Sequence, residues 1–421
     1  MTDLSSVLAP SAVPSALPSA ALPALPPARA AVAALEGSRI REVANAGLGL
    51  DVLPFWFGEP DWPTDPRIVA AAQAALAAGD TRYGHNLGQP ALREALAGYL
   101  SRLHGREIGA GRVAVTSSGV SALMLAHQTL LDPGSRVVIV TPVWPNLTEA
   151  PAILGAQVLR VALDFDAQRG FRLDLDRLLD ALTPGTRALV INSPNNPTGW
   201  TLTAAERDAI LAHCRRHGIW IVADDVYDRL WYGHAADAAS ARNPRGYAVA
   251  PGFLEVAEPE DRLLAVNSFS KSWRMTGFRL GWLVAPAPLM ERLGVLIEYN
   301  TSCAPGFVQA AGLAALGLGE AVIEAQLAHY RAARDVLVAG LAEVPGVQVA
   351  LPPGAMYAFF RLEGERDSLG LCKRLVREQR LGLAPGLAFG AEGEGFVRWC
   401  LANEPALLRE GIARLRVGLG R

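Results

Sequence analysis

Residues 268–282 contain side chains that could do chemistry together. They read SFSKSWRMTGFRLGW and follow an apolar run at residues 263–266 that is typical of a buried strand. A lysine directly after such a strand faces the crevice where small ligands bind in open α/β sheets. The hydroxyls of Ser268 and Ser270 can donate to a phosphate, and the forked guanidinium of Arg279 suits a phosphate dianion. A solvated loop would explain a lone Lys-Ser pair, but the whole string predicts a reactive amine beside an anion site.

Lysine is rare in this chain. Lys271 and Lys373 are the only lysines among 39 basic residues. A genome-wide bias toward arginine would explain the rarity. A lysine kept against that bias is nevertheless expected to be needed for its amine, because a guanidinium cannot form a Schiff base.

Polar strings follow two other predicted strands. Residues 192–199 read NSPNNPTG, and by themselves they are most typical of a turn. Residues 221–227 read IVADDVY, with Asp224 at a strand end and Tyr227 three residues later, which a helix cap would also explain. A carboxylate in such a place keeps a neighbouring ring nitrogen protonated, because an opposite charge favours the charged form.

Two further strings lie at predicted strand ends. Residues 116–123 read TSSGVSAL, where small residues let the backbone approach an anion at a helix start, although an ordinary capped helix is an equal alternative. Residues 141–146 read TPVWPN, and Trp144 could stack on a flat heteroaromatic ring or serve only in packing.

The elements that must position these residues follow an alternating pattern. Short β-branched runs alternate with Ala- and Leu-rich helical stretches, which predicts an α/β fold with a mostly parallel sheet covered by helices on both faces. From about residue 316 the pattern becomes more helical, with short strands later, which predicts a smaller α+β domain. The predicted strands are residues 113–116, 137–140, 188–191, 219–223, 263–266, 347–351, 357–362 and 396–400, and the helical stretches include 121–131, 173–182 and 204–217.

Composition excludes several classes of protein. The formal net charge is -2 and no basic run occurs, so no nucleic-acid surface is predicted. The four cysteines form no Cys-x-x-Cys pair, which predicts neither a metal site nor disulfides and favours a reducing, cytoplasmic compartment. No apolar run is long enough to predict a membrane span. Residues 1–35, rich in Ala and Pro, predict a disordered or loosely packed tail.

Taken in order, the strings resemble the fold type I pyridoxal-phosphate aminotransferases of class I/II, the aspartate aminotransferase superfamily. Further resemblance lies in GEPD at 58–61, YGHNLGQPALR at 83–93, GAMY at 354–357 and FVRWCLA at 396–402. The family implies a seven-stranded-type, mostly parallel sheet in a large domain. With the pattern above, it predicts the tail at 1–35, an N-terminal arm at 36–65 that joins the small domain and the active site, a large cofactor-binding domain at 66–315 and a small domain at 316–421.

The resemblance also implies how pyridoxal phosphate would be bound. Lys271 would hold it as a Schiff base, and Asp224 would pair with the pyridine nitrogen. Tyr227 and Asn196 would bond the phenolic oxygen, and Trp144 would stack on the ring. The phosphate would be held by Gly119, Val120, Ser268, Ser270 and Arg279.

Substrate and subunit contacts are implied in the same way. Arg398 would bind the substrate α-carboxylate, helped by Asn196 and the backbone of Gly58. Tyr83 would reach the phosphate in a neighbouring subunit, which implies a homodimer.

The reaction implied is transfer of the amino group of an L-amino acid to a 2-oxo acid. Lys271 would act as general base and then acid at the α-carbon, and the two half-reactions predict ping-pong kinetics. A pyridoxal-phosphate C–S lyase on the same scaffold stays open. A non-catalytic regulator that kept the fold is a remote alternative, because residues 1–35 are too short and uncharged for a DNA-binding module.

Substrate choice is less clearly indicated. Members of the family that bind the second carboxylate of a dicarboxylic amino acid carry an extra cation. In one subgroup this cation is a lysine in the loop that binds the cofactor phosphate. This chain has Val120 and Ser121 there. The resemblance therefore favours a neutral or cationic amino acid as donor, with pyruvate or 2-oxoglutarate as acceptor.

Overall fold

Helices and strands alternate through the first two thirds of the chain, as the hydrophobic pattern predicts. The computed structural model describes residues 28–233 and 242–420. The helices, numbered along the chain, are α1 (Ala30–Ala33), α2 (Arg39–Ala46), α3 (Pro66–Ala77), α4 (Pro90–His104), α5 (Gly119–Leu130), α6 (Asn146–Ile153), α7 (Leu175–Ala181), α8 (Ala204–His217), α9 (Met290–Thr301), α10 (Gly306–Gly317), α11 (Glu320–Ala342), α12 (Ser368–Gln379) and α13 (Pro405–Gly418). The strands are β1 (Leu53–Pro54), β2 (Val113–Thr116), β3 (Arg136–Thr141), β4 (Gln157–Ala162), β5 (Asp164–Asp166), β6 (Gly170–Arg172), β7 (Thr186–Asn192), β8 (Trp220–Asp224), β9 (Leu263–Ser268), β10 (Gly281–Val284), β11 (Val347–Gln348), β12 (Tyr357–Leu362), β13 (Leu381–Gly382), β14 (Ala384–Pro385) and β15 (Phe396–Cys400).

A seven-stranded sheet organises the larger part of the molecule. Its strand order is β2-β10-β9-β8-β7-β3-β4, and all neighbours are parallel except β10, which is antiparallel to both β2 and β9. Val138 and Val140 pack into one apolar cluster and Val137 and Ile139 into another, so helices cover both faces of the sheet. This confirms the predicted α/β sheet. Strand β10 and the partly exposed β4 are not among the predicted runs.

The carboxyl ends of three central strands meet at one edge of this sheet. Asn192 ends β7 and is the register partner of Asp224, which ends β8. Asp224 in turn is the partner of Val266 in β9, and Ser268 ends that strand two residues later. Because these strands are parallel, the polar strings that follow them lie side by side, as expected for a ligand crevice.

A second, antiparallel sheet has the strand order β11-β12-β15-β14. Its apolar side chains share a cluster with α11, α12 and α13, in which Phe359 and Phe396 stack at 4.9 Å. Helix α11 buries Ile323, Leu327 and Tyr330 at a spacing of three to four residues, which gives it one apolar face. This matches the predicted α+β character of the C-terminal part.

The predicted domain boundaries divide the chain at residues 35, 65 and 315. Residues 36–421 form one compact unit, in which the division at residue 316 and the arm at 36–65 stay predictions. Of the predicted disordered tail at residues 1–35, only residues 28–35 are described, and they include the short helix α1. Within the described ranges, no single helix has the length and apolar composition to cross a membrane, and only the bent pair α10 and α11 passes together on those two criteria.

Candidate active site

A cavity of about 370 Å³ opens at the carboxyl edge of the seven-stranded sheet. Its walls come from the loops after β2, β3, β7, β8 and β9, from the segment after β1, and from β12 and β15. The predicted site residues that line it are Gly58, Gly119, Val120, Trp144, Asn196, Asp224, Tyr227, Ser268, Ser270, Lys271, Arg279 and Arg398. Residues separated by up to 340 positions in sequence are thus brought around one space.

Lys271 provides an amine with altered acidity. It lies in the turn after β9, half-buried, and its Nζ donates to the carbonyl oxygen of Gly58. Burial lowers the pKa of the amine from 10.5 to about 8, because the charged form loses hydration. The uncharged form, which attacks a carbonyl, is therefore far more populated near neutral pH than in an ordinary lysine.

Gly58 is required where the chain approaches two tyrosines. A Cβ at position 58 would lie 1.9 Å from Oη of Tyr357, so only glycine fits. Oη of Tyr357 is hydrogen-bonded to Oη of Tyr227 at 2.7 Å. Burial raises the pKa of Tyr227 well above its ordinary value, so the phenol keeps its proton and can donate it in a hydrogen bond.

Asp224 is a buried carboxyl group that faces the cavity. It is 3% exposed, and its Oδ1 accepts from the amide of Val226 at 3.3 Å. Burial raises the pKa of Asp224 to about 7, and no salt bridge to it occurs in the described part of the chain. A cation inside the cavity, such as a protonated pyridine nitrogen, would restore its charged form.

Small residues form a cradle where helix α5 begins. A Cβ at Gly281 would lie 2.6 Å from the amide nitrogen of Gly119, so β10 passes directly against the first turn of the helix. Oγ of Ser118 caps that turn by accepting from the amide of Ser121 at 3.0 Å. The Oγ of Ser268 accepts from the amide of Ser270 at 3.3 Å. The hydroxyl protons of Ser268 and Ser270 can therefore be donated to a ligand. Such a set of donors fits a phosphate.

Arg279 completes the cradle with a positive charge. Its backbone has φ +55, and its Nη1 donates to the carbonyl of Thr276 at 2.8 Å. No carboxylate within the described ranges pairs with Arg279, which leaves the other donors of the guanidinium for an anion.

Arg398 is a buried cation without a carboxylate partner among the described residues. It is 2% exposed, its Nη1 donates to Oδ1 of Asn196 at 2.9 Å, and its Nη2 donates to the carbonyl of Trp56. The guanidinium lies 4.5 Å from the ring centroid of Tyr357 and 4.8 Å from that of Phe389. These contacts fix its plane and leave its charge to be balanced by a ligand, as a substrate carboxylate would do.

Backbone contacts link the remaining loops. The amide of Trp144 donates to the carbonyl of Asn196 at 2.8 Å, and the amide of Asn196 donates to Oδ1 of Asn192 at 2.8 Å. Asn192 also donates from Nδ2 to the carbonyl of Asp224 at 3.0 Å. The three loops therefore hold each other in place around the cavity.

Tyr83 is the one predicted residue that does not line the cavity of its own chain. It is 90% exposed. The prediction that it reaches a neighbouring subunit stays a prediction.

Several residues that line the cavity are not among the predicted site residues. Tyr357 could have been found, because it ends the GAMY string at 354–357. Arg41 has no such signal, because its helix α2 approaches the site only in the folded chain. Among the described residues, its guanidinium has no hydrogen-bond or ion-pair partner.

Comparisons with known proteins agree on one family. The model of the family "Aminotransferase class I and II" matches residues 51–415. An aspartate aminotransferase of Pyrococcus horikoshii is 33% identical over 91% of this chain and 95% of its own length. An arginine–pyruvate transaminase of Pseudomonas aeruginosa is 32% identical over 89% of this chain and 92% of its own. A single mutant of Thermus thermophilus aspartate aminotransferase superposes with a TM-score of 0.84 at 31% identity, covering 94% of this chain and 100% of that one.

Proposed function

The chain belongs to the aminotransferase class I and II family and is a transaminase, and from that premise we propose that pyridoxal phosphate, the cofactor which the family implies, is held at Lys271. The enzyme would transfer the amino group of an L-amino acid to a 2-oxo acid. Bound pyridoxal phosphate supplies an aldehyde that condenses with amines and a ring that withdraws electrons from the substrate α-carbon. The residues that line the cavity fit this group in charge and in shape.

Four contacts would orient the cofactor. Asp224 would pair with the ring nitrogen and thereby regain its charge. Tyr227 and Asn196 would donate to the phenolic oxygen, and Trp144 would cover one face of the ring. The phosphate would lie in the cradle formed by Gly119, Val120, Ser268, Ser270 and Arg279.

Lys271 and Arg398 would act on the substrate. Arg398 would hold the α-carboxylate, with Asn196 and the backbone of Gly58 beside it, so that the α-hydrogen points to the amine of Lys271. The amine of Lys271, freed when the substrate amine takes its place on the cofactor, would take the α-proton as general base and return it as general acid, and burial lowers the pKa of this free amine to about 8. Fixing both groups relative to the substrate accounts for a large part of the rate, because reacting atoms are then already aligned.

The observation that carries this proposal is the meeting in one cavity of three ionisable groups that have no salt-bridge partner. Lys271, Asp224 and Arg398 each form no salt bridge within the described part of the chain. Pyridoxal phosphate would supply an aldehyde for the amine of Lys271 and a basic ring nitrogen for Asp224. The amino acid substrate would supply a carboxylate for Arg398.

A neutral or cationic amino acid is the proposed donor. Val120 lines the cavity in the loop where some members of the family carry a lysine. Arg41 adds a cation to the wall, which suits the distal carboxylate of 2-oxoglutarate as acceptor, and Glu59 in the same wall can accommodate a cationic donor.

We further propose a homodimer in which Tyr83 completes the partner's site. Tyr83 and Tyr299 are 90% and 84% exposed, and their segments are joined by a hydrogen bond from Asn86 Nδ2 to Glu298 Oε2 at 3.1 Å. Two such exposed aromatic rings on adjoining segments fit a subunit interface. Mixing the inactive variants Lys271→Ala and Tyr83→Ala would then restore about a quarter of the activity, because each mixed dimer contains one intact site. No recovery in mixed dimers would contradict a shared site.

Initial-rate kinetics test the reaction. Wild-type protein with several amino acids and 2-oxo acids should give parallel double-reciprocal lines, and Lys271→Ala should abolish turnover. Lys373→Ala is the matched control, since Lys373 pairs with Glu42 outside the cavity and should be dispensable for turnover. Release of pyruvate and ammonia from a cysteine-type donor without any 2-oxo acid would instead indicate the C–S lyase.

A further inference from the structure

The backbone of Lys271 is held by a side chain from a distant helix. Nε2 of Gln326, in α11, donates to the carbonyl oxygen of Lys271 at 2.9 Å. Lys271 lies in a turn, outside any helix or strand, so no regular backbone pairing fixes this carbonyl. Gln326 is 1% exposed, and a buried amide in this position must satisfy both of its ends.

The other end of the Gln326 amide accepts from Arg274. Nη1 of Arg274 donates to Oε1 of Gln326 at 3.0 Å, and Nε of Arg274 donates to the carbonyl of Pro63 at 2.9 Å. The guanidinium also lies 5.7 Å from the ring centroid of Trp62. Arg274 thus connects α11 to the segment at 58–64.

These contacts close a ring around Lys271. Its Nζ donates to Gly58 at one end of the segment 58–64, while Arg274 binds Pro63 near the other end. Gln326 then joins Arg274 to the carbonyl of Lys271. The amine and the backbone of the same lysine are therefore fixed by one connected set of contacts.

Helix α11 strengthens the outer part of this ring. His329, three residues after Gln326 and on the same face, stacks on Trp62 at 4.4 Å between ring centroids and bonds Oδ2 of Asp61 through Nε2 at 2.7 Å. The segment that receives the Lys271 amine is thus anchored to the helix that holds the Lys271 carbonyl.

We propose that Gln326 and Arg274 are positioning residues that hold the amine of Lys271 in its buried, reactive place. The proposal rests on the proposed role of Lys271. Neither residue lines the cavity, and both act through the turn that carries the lysine. Their loss is expected to loosen this turn and let the amine reach water.

The test compares Gln326→Met with Gln326→Glu. Methionine has a similar length and removes both hydrogen bonds. Glutamate beside Arg274 stays ionised, so it keeps the acceptor for Arg274 but cannot donate to the Lys271 carbonyl. Gln309→Met is the matched control, because Gln309 is also fully buried and also makes two bonds, with Gln89 and Ala304, away from the cavity.

The first readout needs no cofactor. The rate at which an amine reagent labels Lys271 is measured against pH in the cofactor-free protein, and peptide mass separates Lys271 from Lys373. Gln326→Met should raise the apparent pKa of Lys271 by about one unit toward its ordinary value, because the amine regains hydration, and the carboxylate of Gln326→Glu should add to this rise. Gln309→Met should leave it unchanged.

The second readout is the division of the effect between kcat and KM. With cofactor bound, kcat of the two Gln326 variants should fall about tenfold while KM for the amino acid changes less than twofold, since Arg398 is untouched. If Gln326→Met does not fold, Arg274→Met carries the labelling test, and Gln326→Glu carries the comparison of kcat with KM. A labelling pKa that equals that of wild type, or effects no larger than those of Gln309→Met, would overturn the proposal. Absence of transaminase activity in wild type would refute the proposed function alone, because the labelling experiment does not depend on it.

Discussion

Two residues of the cavity wall would meet the substrate side chain. Val120 is 37% exposed and lies at the start of α5, where a longer cationic side chain would extend into the cavity. Val120→Lys is expected to raise kcat/KM for aspartate relative to alanine about five- to tenfold, because the new ammonium can pair with the second carboxylate. Ser121→Lys, which adds the same charge one residue further, outside the lining, should not have this effect. Equal gains in both variants would point to a general effect of charge.

Arg41 is the second such residue. Arg41→Gln should raise KM for 2-oxoglutarate about fivefold and leave KM for pyruvate within a factor of two, since only the former has a distal carboxylate. Arg409→Gln, on helix α13 outside the cavity, is the control for loss of one positive charge. If the two variants behaved alike, Arg41 would have no part in reading the acceptor.

The predictability of these residues depends on the kind of signal they leave. Lys271 could be predicted from its own string, whose chemistry is unusual for a loop. The string of Asp224 could equally be explained by a helix cap, and Arg398 is indicated only by the resemblance to the family. Arg41 could not, because an arginine on a short helix is ordinary until the fold carries it to the cavity. Gln326 and Arg274 belong to the same class, since only packing between α11 and the lysine turn gives them a partner.

At the scale of elements, the contact between β10 and α5 is the tightest support of the anion cradle. A Cβ at Gly281 would lie 2.6–2.8 Å from backbone atoms of Gly119, Ser118 and Asn267, none of which can yield as a side chain can. Gly281→Ala should therefore displace the first turn of α5, lower stability by about 1–3 kcal/mol and weaken cofactor binding about tenfold. Urea unfolding and cofactor titration measure both effects.

Gly277→Ala is the control, because a Cβ there meets no atom within 4 Å. Gly277 lies in the turn just before β10, and Gly277→Ala should bind cofactor as wild type does. Unchanged cofactor affinity in Gly281→Ala would mean that the helix start can shift without cost to the cradle.

The parallel strands could be predicted from their unbroken apolar runs, whereas β10 could not. Gly281–Val284 has only four residues and directly continues the lysine string, so it resembles the end of a loop. Strand β4 has an edge position and exposes Arg160, which breaks the apolar run. Direction and edge position depend on tertiary pairing, which local pattern does not contain.

At the scale of the whole molecule, the site is expected to lower the stability of the cofactor-free protein. Asp224 has a pKa of about 7 when folded against 3.8 ordinarily, so the folded state binds more protons than the unfolded state between these values. The contribution of Asp224 to the free energy of unfolding is therefore fully present below about pH 4 and is lost as the pH rises through 7. Three pKa units correspond to an upper limit of about 4 kcal/mol.

Asp224→Asn removes this titration and keeps the shape of the neutral carboxyl group. Cofactor-free Asp224→Asn should match wild type in urea unfolding at pH 4 and exceed it by up to about 4 kcal/mol at pH 8, since only wild type must then either bury a charge or retain a proton. The shift of Lys271 acts in the opposite sense above pH 8 but is present in both proteins, so it largely cancels in the comparison. The same variant should lose most transaminase activity, because the amide cannot keep a ring nitrogen protonated. If the free energy of unfolding depended on pH in the same way in the two proteins, the Asp224 carboxyl would be solvated in the cofactor-free protein. The ring nitrogen of the cofactor would then not be needed to stabilise the charged form of Asp224.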